Sequence, residues 1–255
     1  MKRQMNRIVG SDGRVLIVAM DHTSFLDSPV PALASYGRTC EIAAAAGADA
    51  FLAPIGSVAH FADAFGRAAV IASVNTTPPY LEVAVEQALA AGADGVKCMV
   101  YPFTNDSSVA EAHRLAADAS RFGVPFLAEP IPGGFSAGDM RSPQIIAAGA
   151  RIAAESGADM VKTFYTGDPE SMRLVVDYAS VPVIMLGGSK KEDLRDLLQE
   201  VYDAVIVAGC AGAAIGTNIW AASDPASVTR ALVGIIHGGM SVDEALATAR
   251  VAVPG

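Results

Sequence analysis

Short, almost wholly apolar runs recur along this chain, and the longer stretches between them are alanine-rich and read as helices. Eight runs stand out, at 15–21, 50–54, 69–74, 95–100, 126–130, 160–164, 183–186 and 213–215. Most show no alternation of apolar and polar positions, the pattern of strands buried on both faces. The punctuation between them repeats. Ala45-Ala46-Gly47-Ala48-Asp49, Ala90-Ala91-Gly92-Ala93-Asp94 and Glu155-Ser156-Gly157-Ala158-Asp159 each close a helical segment and open a strand, and Ala208-Gly209-Cys210-Ala211-Gly212 is a degenerate fourth. Gly123-Val124-Pro125 and Ser180-Val181-Pro182 do the same job with a different turn. Strands alternating with helices predict a parallel sheet with helical crossovers. Eight such units in 255 residues predict an α/β fold, a single (β/α)8 TIM barrel with 1–255 as one domain. A doubly wound open sheet is the alternative. It would usually carry a glycine-rich fingerprint after its first strand, where this chain has AMDHTSF. Two amphipathic helices, 223–237 and 241–251, form a C-terminal extension, with Ser241 as N-cap and Glu244 three residues on. They are expected to cover the barrel or to join an oligomer interface.

Composition narrows the function. Apolar residues make up 52% of the chain and charged residues 18%, enough for a large core. A net charge of −9 with no basic stripe argues against nucleic acid and against a membrane surface. Charges and glycines break every apolar run before it reaches a membrane span. The basic start, MKRQMNRIVGSDGR, lacks the apolar core of a signal peptide. Cys40, Cys98 and Cys210 are odd in number and not in metal spacing, as expected of reduced thiols. A cytoplasmic protein is the expectation.

Against this background, Lys162 is out of place. It lies inside the sixth apolar run, in Met160-Val161-Lys162-Thr163-Phe164. A barrel strand has no water-facing side, so this lysine points into the barrel or into the helices. Burial favours the neutral amine, and a neutral lysine amine in a pocket forms Schiff bases with carbonyl compounds. Alternatively, Lys162 lies near the strand end, with its ammonium in solvent or on a carboxylate.

Barrels gather their chemistry at the C-terminal ends of the strands. Read in order, those ends offer Asp21-His22, Asn75, Lys97 with Tyr101-Pro102, Glu129-Pro130, Lys162 with Tyr165, Gly187-Gly188-Ser189 and Gly216-Thr217-Asn218. Two lysines and two carboxylates thus converge on one mouth. The last two ends are glycine turns expected to precede helices, one starting near Lys190 and a short one at 219–222. Backbone amides at Gly187, Gly188, Ser189, Gly216 and Thr217 would form an anion site where barrels bind phosphate, unless these glycines only make tight turns. His60 and His113 fall in helical segments away from the mouth, and His237 falls near a helix end, where a cation suits the dipole. No histidine cluster would hold a metal.

Four segments together resemble a known family. They are Ala19-Met20-Asp21-His22, the run from Gly157 to Pro169 that contains Lys162-Thr163-Phe164-Tyr165, the run Val181-Pro182-Val183-Ile184-Met185-Leu186-Gly187-Gly188-Ser189, and Ala214-Ile215-Gly216-Thr217-Asn218-Ile219-Trp220. They are similar to archaeal-type class I fructose-bisphosphate aldolases, a group that includes aminodideoxyheptulosonate synthases and the autoinducer-2 thiolase, with deoxyribose-phosphate aldolase more distant. The resemblance runs from about Val15 to Trp220. It implies a barrel with Lys162 as the Schiff-base lysine, and Asp21 positioning that lysine and shuttling protons. It also implies no cofactor and a homo-oligomer. Departures are informative. The family's strand-five tyrosine, a proton donor in the aldolases, is matched by Ile131, and its phosphate-holding arginine after strand eight is matched by Thr217. Class I tagatose-bisphosphate aldolases pair a strand-four lysine with a glutamate, which Lys97 and Glu129 resemble. Glu129 would then handle the proton, with Tyr101 as second candidate, and repulsion between the two lysines would keep one of them neutral. A plain Lys97–Glu129 ion pair is the alternative. The implied activity is C–C bond cleavage or formation in a keto-sugar or sugar phosphate, with a dihydroxyacetone-phosphate-like donor and an unnamed aldehyde. Acyl transfer, as in the thiolase, or a drifted barrel with only a binding role are the alternatives.

Overall fold

The computed structural model describes residues 4–24, 28–74, 83–134 and 137–250. Eight parallel strands close into a barrel in sequence order. They are β1 (Val15–Ala19), β2 (Ala50–Pro54), β3 (Ala69–Ser73), β4 (Gly95–Val100), β5 (Phe126–Pro130), β6 (Met160–Phe164), β7 (Val183–Leu186) and β8 (Gly212–Ile215). The helices are α1 (Met5–Ile8), α2 (Tyr36–Ala45), α3 (Ile55–His60), α4 (Ala84–Ala90), α5 (Asp106–Arg121), α6 (Pro143–Glu155), α7 (Pro169–Ala179), α8 (Leu194–Tyr202), α9 (Thr217–Trp220), α10 (Pro225–Ile236) and α11 (Val242–Arg250). The expected barrel is therefore observed and the open sheet is excluded. Asn75 and Val251, singled out in the sequence, lie outside the described residues.

The uniformly apolar strands do alternate, between two cores. Val15, Ile17, Ala19, Leu52, Ile71, Leu127, Met160 and Ile184 fill the barrel interior. Leu16, Val18, Phe51, Val96, Cys98, Phe126 and Val161 point outward under the helices. Burial on both faces hides the period of two from the sequence. Met5 and Ile8 of α1 belong to the interior cluster, so this short helix, unmarked in the sequence reading, packs against the barrel's inner residues.

The repeated Gly-Ala-Asp has a physical job. Asp49, Asp94 and Asp159 each sit immediately before a strand, β2, β4 and β6. Their carboxylates accept the backbone N–H of Leu16 (2.6 Å), Val70 (3.0 Å) and Phe126 (2.8 Å) on the preceding strand. Their own N–H groups donate back to the carbonyls of the same three residues. Each aspartate thereby ties one barrel edge residue to its neighbour with two bonds.

α10 packs between α8 and α2 and against β1, burying Leu232, Ile235 and Ile236, and α11 packs on α8 and α10. The C-terminal helices therefore cover the barrel. Ser241 and Glu244 form the expected capping box, with the Glu244 carboxylate accepting from Ser241 N (2.8 Å). Two boundaries differ from expectation. The helix expected near Lys190 starts at Leu194, because Asp193 caps it by accepting from Arg195 N (2.8 Å) and the Lys191 N–H is instead bound to Asn218 Oδ1 (2.7 Å). The short helix expected at 219–222 starts at Thr217, directly after Gly216.

His237 ends α10 and joins it to the barrel. Its Nδ1 lies 2.7 Å from Asp12 Oδ2 and its Nε2 2.8 Å from Asp49 Oδ2. The bond to Asp49, reinforced by Asp12 and opposed by burial, raises the imidazole to about 9 from 6.5. Such a shift corresponds to roughly 3 kcal/mol at full strength. Because the side chain is partly exposed, screening leaves about 1 kcal/mol. A group with a raised folded pKa stabilises fully below its unfolded value of 6.5, and this contribution fades as pH rises through about 9. His237→Gln is thus expected to lower stability by about 1 kcal/mol at pH 6 and by little at pH 10, read from urea midpoints at the two pH values.

Candidate active site

The inward-facing positions near the strand C-termini carry the polar groups. Asp21 follows β1, Ser73 ends β3, Lys97 lies in β4, Glu129 in β5 and Lys162 in β6. All of these except Ser73 are buried, Lys97 completely. They form one continuous chain of charges. Lys162 Nζ lies 2.7 Å from Glu129 Oε1, Glu129 Oε2 lies 2.6 Å from Lys97 Nζ, and Lys97 Nζ lies 3.0 Å from Asp21 Oδ2. Ser73 Oγ donates to Asp21 Oδ2 (2.8 Å). Two cations and two anions alternate, so the cluster is neutral as a unit. That neutrality is what allows four ionisable side chains in a barrel interior.

Burial alone would raise Asp21 and Glu129. For Asp21 the charges of Lys97 and Lys162 outweigh it, and for Glu129 those of Lys162 and Lys97 do, so both carboxylates are held below their ordinary range and stay ionised. Burial likewise opposes the Lys97 ammonium, but Asp21 and Glu129 raise it above the ordinary lysine value. Lys97 is therefore not the neutral lysine that repulsion between two ammoniums would create. It is the fixed cation of the site, paired with both carboxylates rather than with Glu129 alone. Lys162 points into the barrel and its head meets a carboxylate, which combines two of the alternatives open at the sequence level.

Above this cluster opens a cavity of about 430 Å³. Its wall includes Asp21, His22, Met99, Glu129, Lys162 and Phe164, together with the Leu186–Ser189 stretch and Gly216. Four of the five expected anion-binding positions thus face the same space as the lysine. Thr217 does not line it, because the chain turns into α9 at that residue. Tyr101 does not line it either. It lies one residue beyond β4, and its hydroxyl donates to Met99 Sδ (3.3 Å). Burial raises the phenol above its ordinary value, further from use as an acid near neutrality. Ile131, where the resemblance places a tyrosine, is fully buried. His60 and His113 are exposed on helices, away from the mouth. Among the described residues, no cluster of three or more His, Cys, Asp or Glu side chains is placed to hold a metal, and no helix is long and apolar enough to cross a membrane.

Three supports were not assigned from the sequence. Ser73 is one; a lone hydroxyl in the otherwise apolar run 69–74 was the available signal. Asn218 is the second. Its side chain donates to Gly187 O (3.2 Å) and Ser189 O (3.1 Å) and accepts from Lys191 N, so it fixes the loop after β7 from the start of α9. Gly187 sits so close to β8 that a Cβ there would be 2.7 Å from Ile215 Cδ1. Arg141 is the third. Its guanidinium lies 4.2 Å from the Phe164 ring centroid and donates to the carbonyls of Pro132 and Gly134, bracing the loop after β5 against β6.

Comparison with known proteins agrees with this geometry. Fructose-bisphosphate aldolase class 1 of Thermoproteus tenax is 33% identical over 257 residues, covering 94% of this chain and 96% of its own length. The 2-amino-3,7-dideoxy-D-threo-hept-6-ulosonate synthase of Halobacterium salinarum is 32% identical, covering 98% of this chain and 96% of its own. A solved archaeal fructose-1,6-bisphosphate aldolase, its catalytic lysine covalently bound to the carbinolamine intermediate of its substrate, superposes with a TM-score of 0.78 at 30% identity, covering 93% of this chain and 99% of that one. The family description that fits residues 15–222 is DeoC/LacD family aldolase. With a closed barrel, a buried lysine paired to a carboxylate and this span of similarity, the chain belongs to the DeoC/LacD aldolase family.

Proposed function

We propose that this chain is a class I aldolase that makes or breaks a C–C bond in a phosphorylated keto-sugar, with 1–255 acting as one catalytic domain. The observation that carries the reading is the contact between Lys162 Nζ and Glu129 Oε1 on the wall of the cavity. Glu129, held ionised, is a proton acceptor at hydrogen-bond distance from the ammonium. Transfer of one proton frees the Lys162 amine to attack a ketone. The same proton returns to the carbinolamine oxygen, which leaves as water. The iminium so formed accepts the electron pair of the breaking C–C bond, an aldehyde departs, and the enamine is protonated and hydrolysed. Lys97 holds Glu129 in place and balances its charge throughout, and Asp21 anchors Lys97 from the other side. A lysine Schiff base carries this chemistry without a cofactor.

The donor half is a dihydroxyacetone-phosphate-like ketone. Its phosphate is placed on the backbone amides of the Gly187–Gly188–Ser189 and Gly216 turns, beside Lys162 in the same cavity. The names of the relatives support this donor. One is a fructose-bisphosphate aldolase, and a Streptomyces griseus relative, 32% identical over 239 residues, is a 2-amino-4,5-dihydroxy-6-oxo-7-(phosphonooxy)heptanoate synthase, whose name places a ketone next to the phosphate-bearing carbon. Asn218→Ala removes the bonds to Gly187 O and Ser189 O and the one from Lys191 N that together hold the phosphate loop. It is expected to raise the KM for dihydroxyacetone phosphate about tenfold, the equivalent of one to two hydrogen bonds, with a smaller change in kcat. A steady-state titration of the donor checks this; an unchanged KM would remove the phosphate from that loop. We also infer a cytoplasmic homo-oligomer. Exposed Leu174 and Tyr178 on α7 offer an apolar surface for self-association, and light scattering on the eluted protein tests it.

A further inference from the structure

Both ammoniums of the site are matched within it: Lys162 meets Glu129, and Lys97 meets Glu129 and Asp21. An anionic group on the aldehyde half would need its counter-charge from elsewhere, and a guanidinium stands beside the cavity. We propose that Arg141 binds an oxyanion at the far end of the aldehyde half, so that the enzyme takes anionic aldehydes in preference to neutral ones. This inference rests on the class I aldolase reading.

Arg141 follows the 3-10 turn 138–140, in the connection from β5 to α6. Its guanidinium lies over the Phe164 ring, 4.2 Å from the centroid, and Phe164 is part of the cavity wall. Among the described residues its hydrogen bonds go to neutral carbonyls: Gly134 O at 2.6 Å, Met140 O at 3.4 Å, and Pro132 O. These bonds use part of the guanidinium's fork of donors and leave N–H groups over for a ligand. Burial works against the cation. The carboxylate that favours it is Asp139, which is exposed and acts through space rather than through a bond. A half-buried guanidinium held on carbonyls alone keeps its charge available for an oxyanion, the partner its planar fork fits best.

The order of the strands gives that oxyanion its place. β6, which carries Lys162 and Phe164, has β5 on one side and β7 on the other. The donor phosphate is placed on the turns after β7 and β8. An extended keto-sugar with its C2 on Lys162 and its C1 phosphate toward those turns runs its remaining carbons toward β5, where Arg141 stands. The loop that presents Arg141 is tightly wound. Gly133 has φ +73°, and a Cβ there would come within 2.6 Å of Ala137 Cβ and 2.9 Å of Met140 Cγ. The guanidinium is therefore set in position before a ligand arrives, which lowers the ordering cost of binding.

Phosphate and carboxylate share the chemistry that Arg141 recognises, and the choice of aldehyde separates them. The test is condensation of dihydroxyacetone phosphate with glyceraldehyde 3-phosphate, with succinic semialdehyde and with neutral glyceraldehyde. In the wild-type protein, kcat/KM for at least one of the anionic aldehydes should exceed that for glyceraldehyde by about 10- to 100-fold, the worth of a charge-assisted contact. Preference for the first alone identifies a phosphoryl group, and for the second alone a carboxylate. In Arg141→Gln the preference should collapse, through a higher KM for the anionic aldehyde. In Arg141→Lys, which keeps the charge without the fork, it should fall part of the way. Thermal melts confirm that the variants are folded, and the lysine variant carries the comparison if the glutamine variant does not fold. A wild-type protein with no preference for either anionic aldehyde would overturn the assignment. So would equal losses with charged and neutral aldehydes in the folded variants, which would make Arg141 only a brace for the loop and Phe164. Absence of borohydride trapping of dihydroxyacetone phosphate on wild-type Lys162 would count against the aldolase reading itself, whereas trapping without a charge preference removes only the role of Arg141.

Discussion

Lys162→Ala is expected to fold and to lose aldolase activity by a factor on the order of 10⁴ or more. The reason is that, among the described residues, no other cavity group is placed to take over. Lys97, the second lysine, is completely buried beneath the wall and bound to Asp21 at 3.0 Å and Glu129 at 2.6 Å, which hold it as an ammonium. An ammonium has no lone pair for a carbonyl. Loss of Lys162 leaves both Glu129 and Asp21 in contact with Lys97, so the stability cost is smaller than that of losing Lys97, and a thermal melt separates chemistry from folding. The check is the rate of retro-aldol cleavage beside a thermal melt. A folded variant with more than about 1% of wild-type activity would mean that the nucleophile lies elsewhere.

Lys97→Met produces the largest stability effect. Methionine matches the length of the lysine stem, so packing changes little, but two buried carboxylates lose their shared cation. Asp21 then keeps Ser73 and the more distant His22, and Glu129 keeps Lys162. Removing one partner of a buried ion network typically costs about 3–5 kcal/mol. For a chain of this size that corresponds to a Tm lower by roughly 10 °C. Because the cost arises from stranded charge, adding Asp21→Asn to Lys97→Met should recover about 1–2 kcal/mol, a coupling that a pure packing loss would not show. Urea unfolding of the two single variants and the double variant completes the cycle. Equal and additive losses would show that Lys97 and Asp21 are not electrostatically coupled.

The sequence made the barrel legible because its strands are buried on both faces and its turns repeat. The eight runs coincide with the strands to within two residues, the differences falling at the ends of the first, third and eighth. What could not be read there was where the alternate side chains go, since an interior core and an outer core both demand apolar residues. The Gly-Ala-Asp repeat was visible, but not that its aspartates reach back to the preceding strand. The helix expected at Lys190 failed because Asp193 provides the cap that Lys190 lacks.

The site was legible in its parts. Lys162, Glu129, Lys97 and Asp21 were all marked as charges at strand ends, and the structure brings them into one chain of contacts. Tyr101 shows the limit of parity: counting along β4 points it inward, but it lies past the strand's end, where the turn through Pro102 and the left-handed Phe103 (φ 70°) redirects the chain. Thr217 is displaced for a similar reason, as the first residue of α9. His22 was noted only as part of a motif. Its ring packs against Trp220 and over Gly216, nearly two hundred residues away, and no local pattern announces such contacts.

The central claim is that Lys162 forms a Schiff base with a dihydroxyacetone-phosphate-like ketone. The most direct test is borohydride reduction of the wild-type protein in the presence of dihydroxyacetone phosphate, followed by intact mass and peptide mapping. The account predicts one reduced adduct per chain, on the peptide containing Lys162 and absent from Lys162→Ala. An adduct on Lys97 would contradict the assignment of the nucleophile, and no adduct with dihydroxyacetone phosphate would contradict the iminium mechanism for this donor.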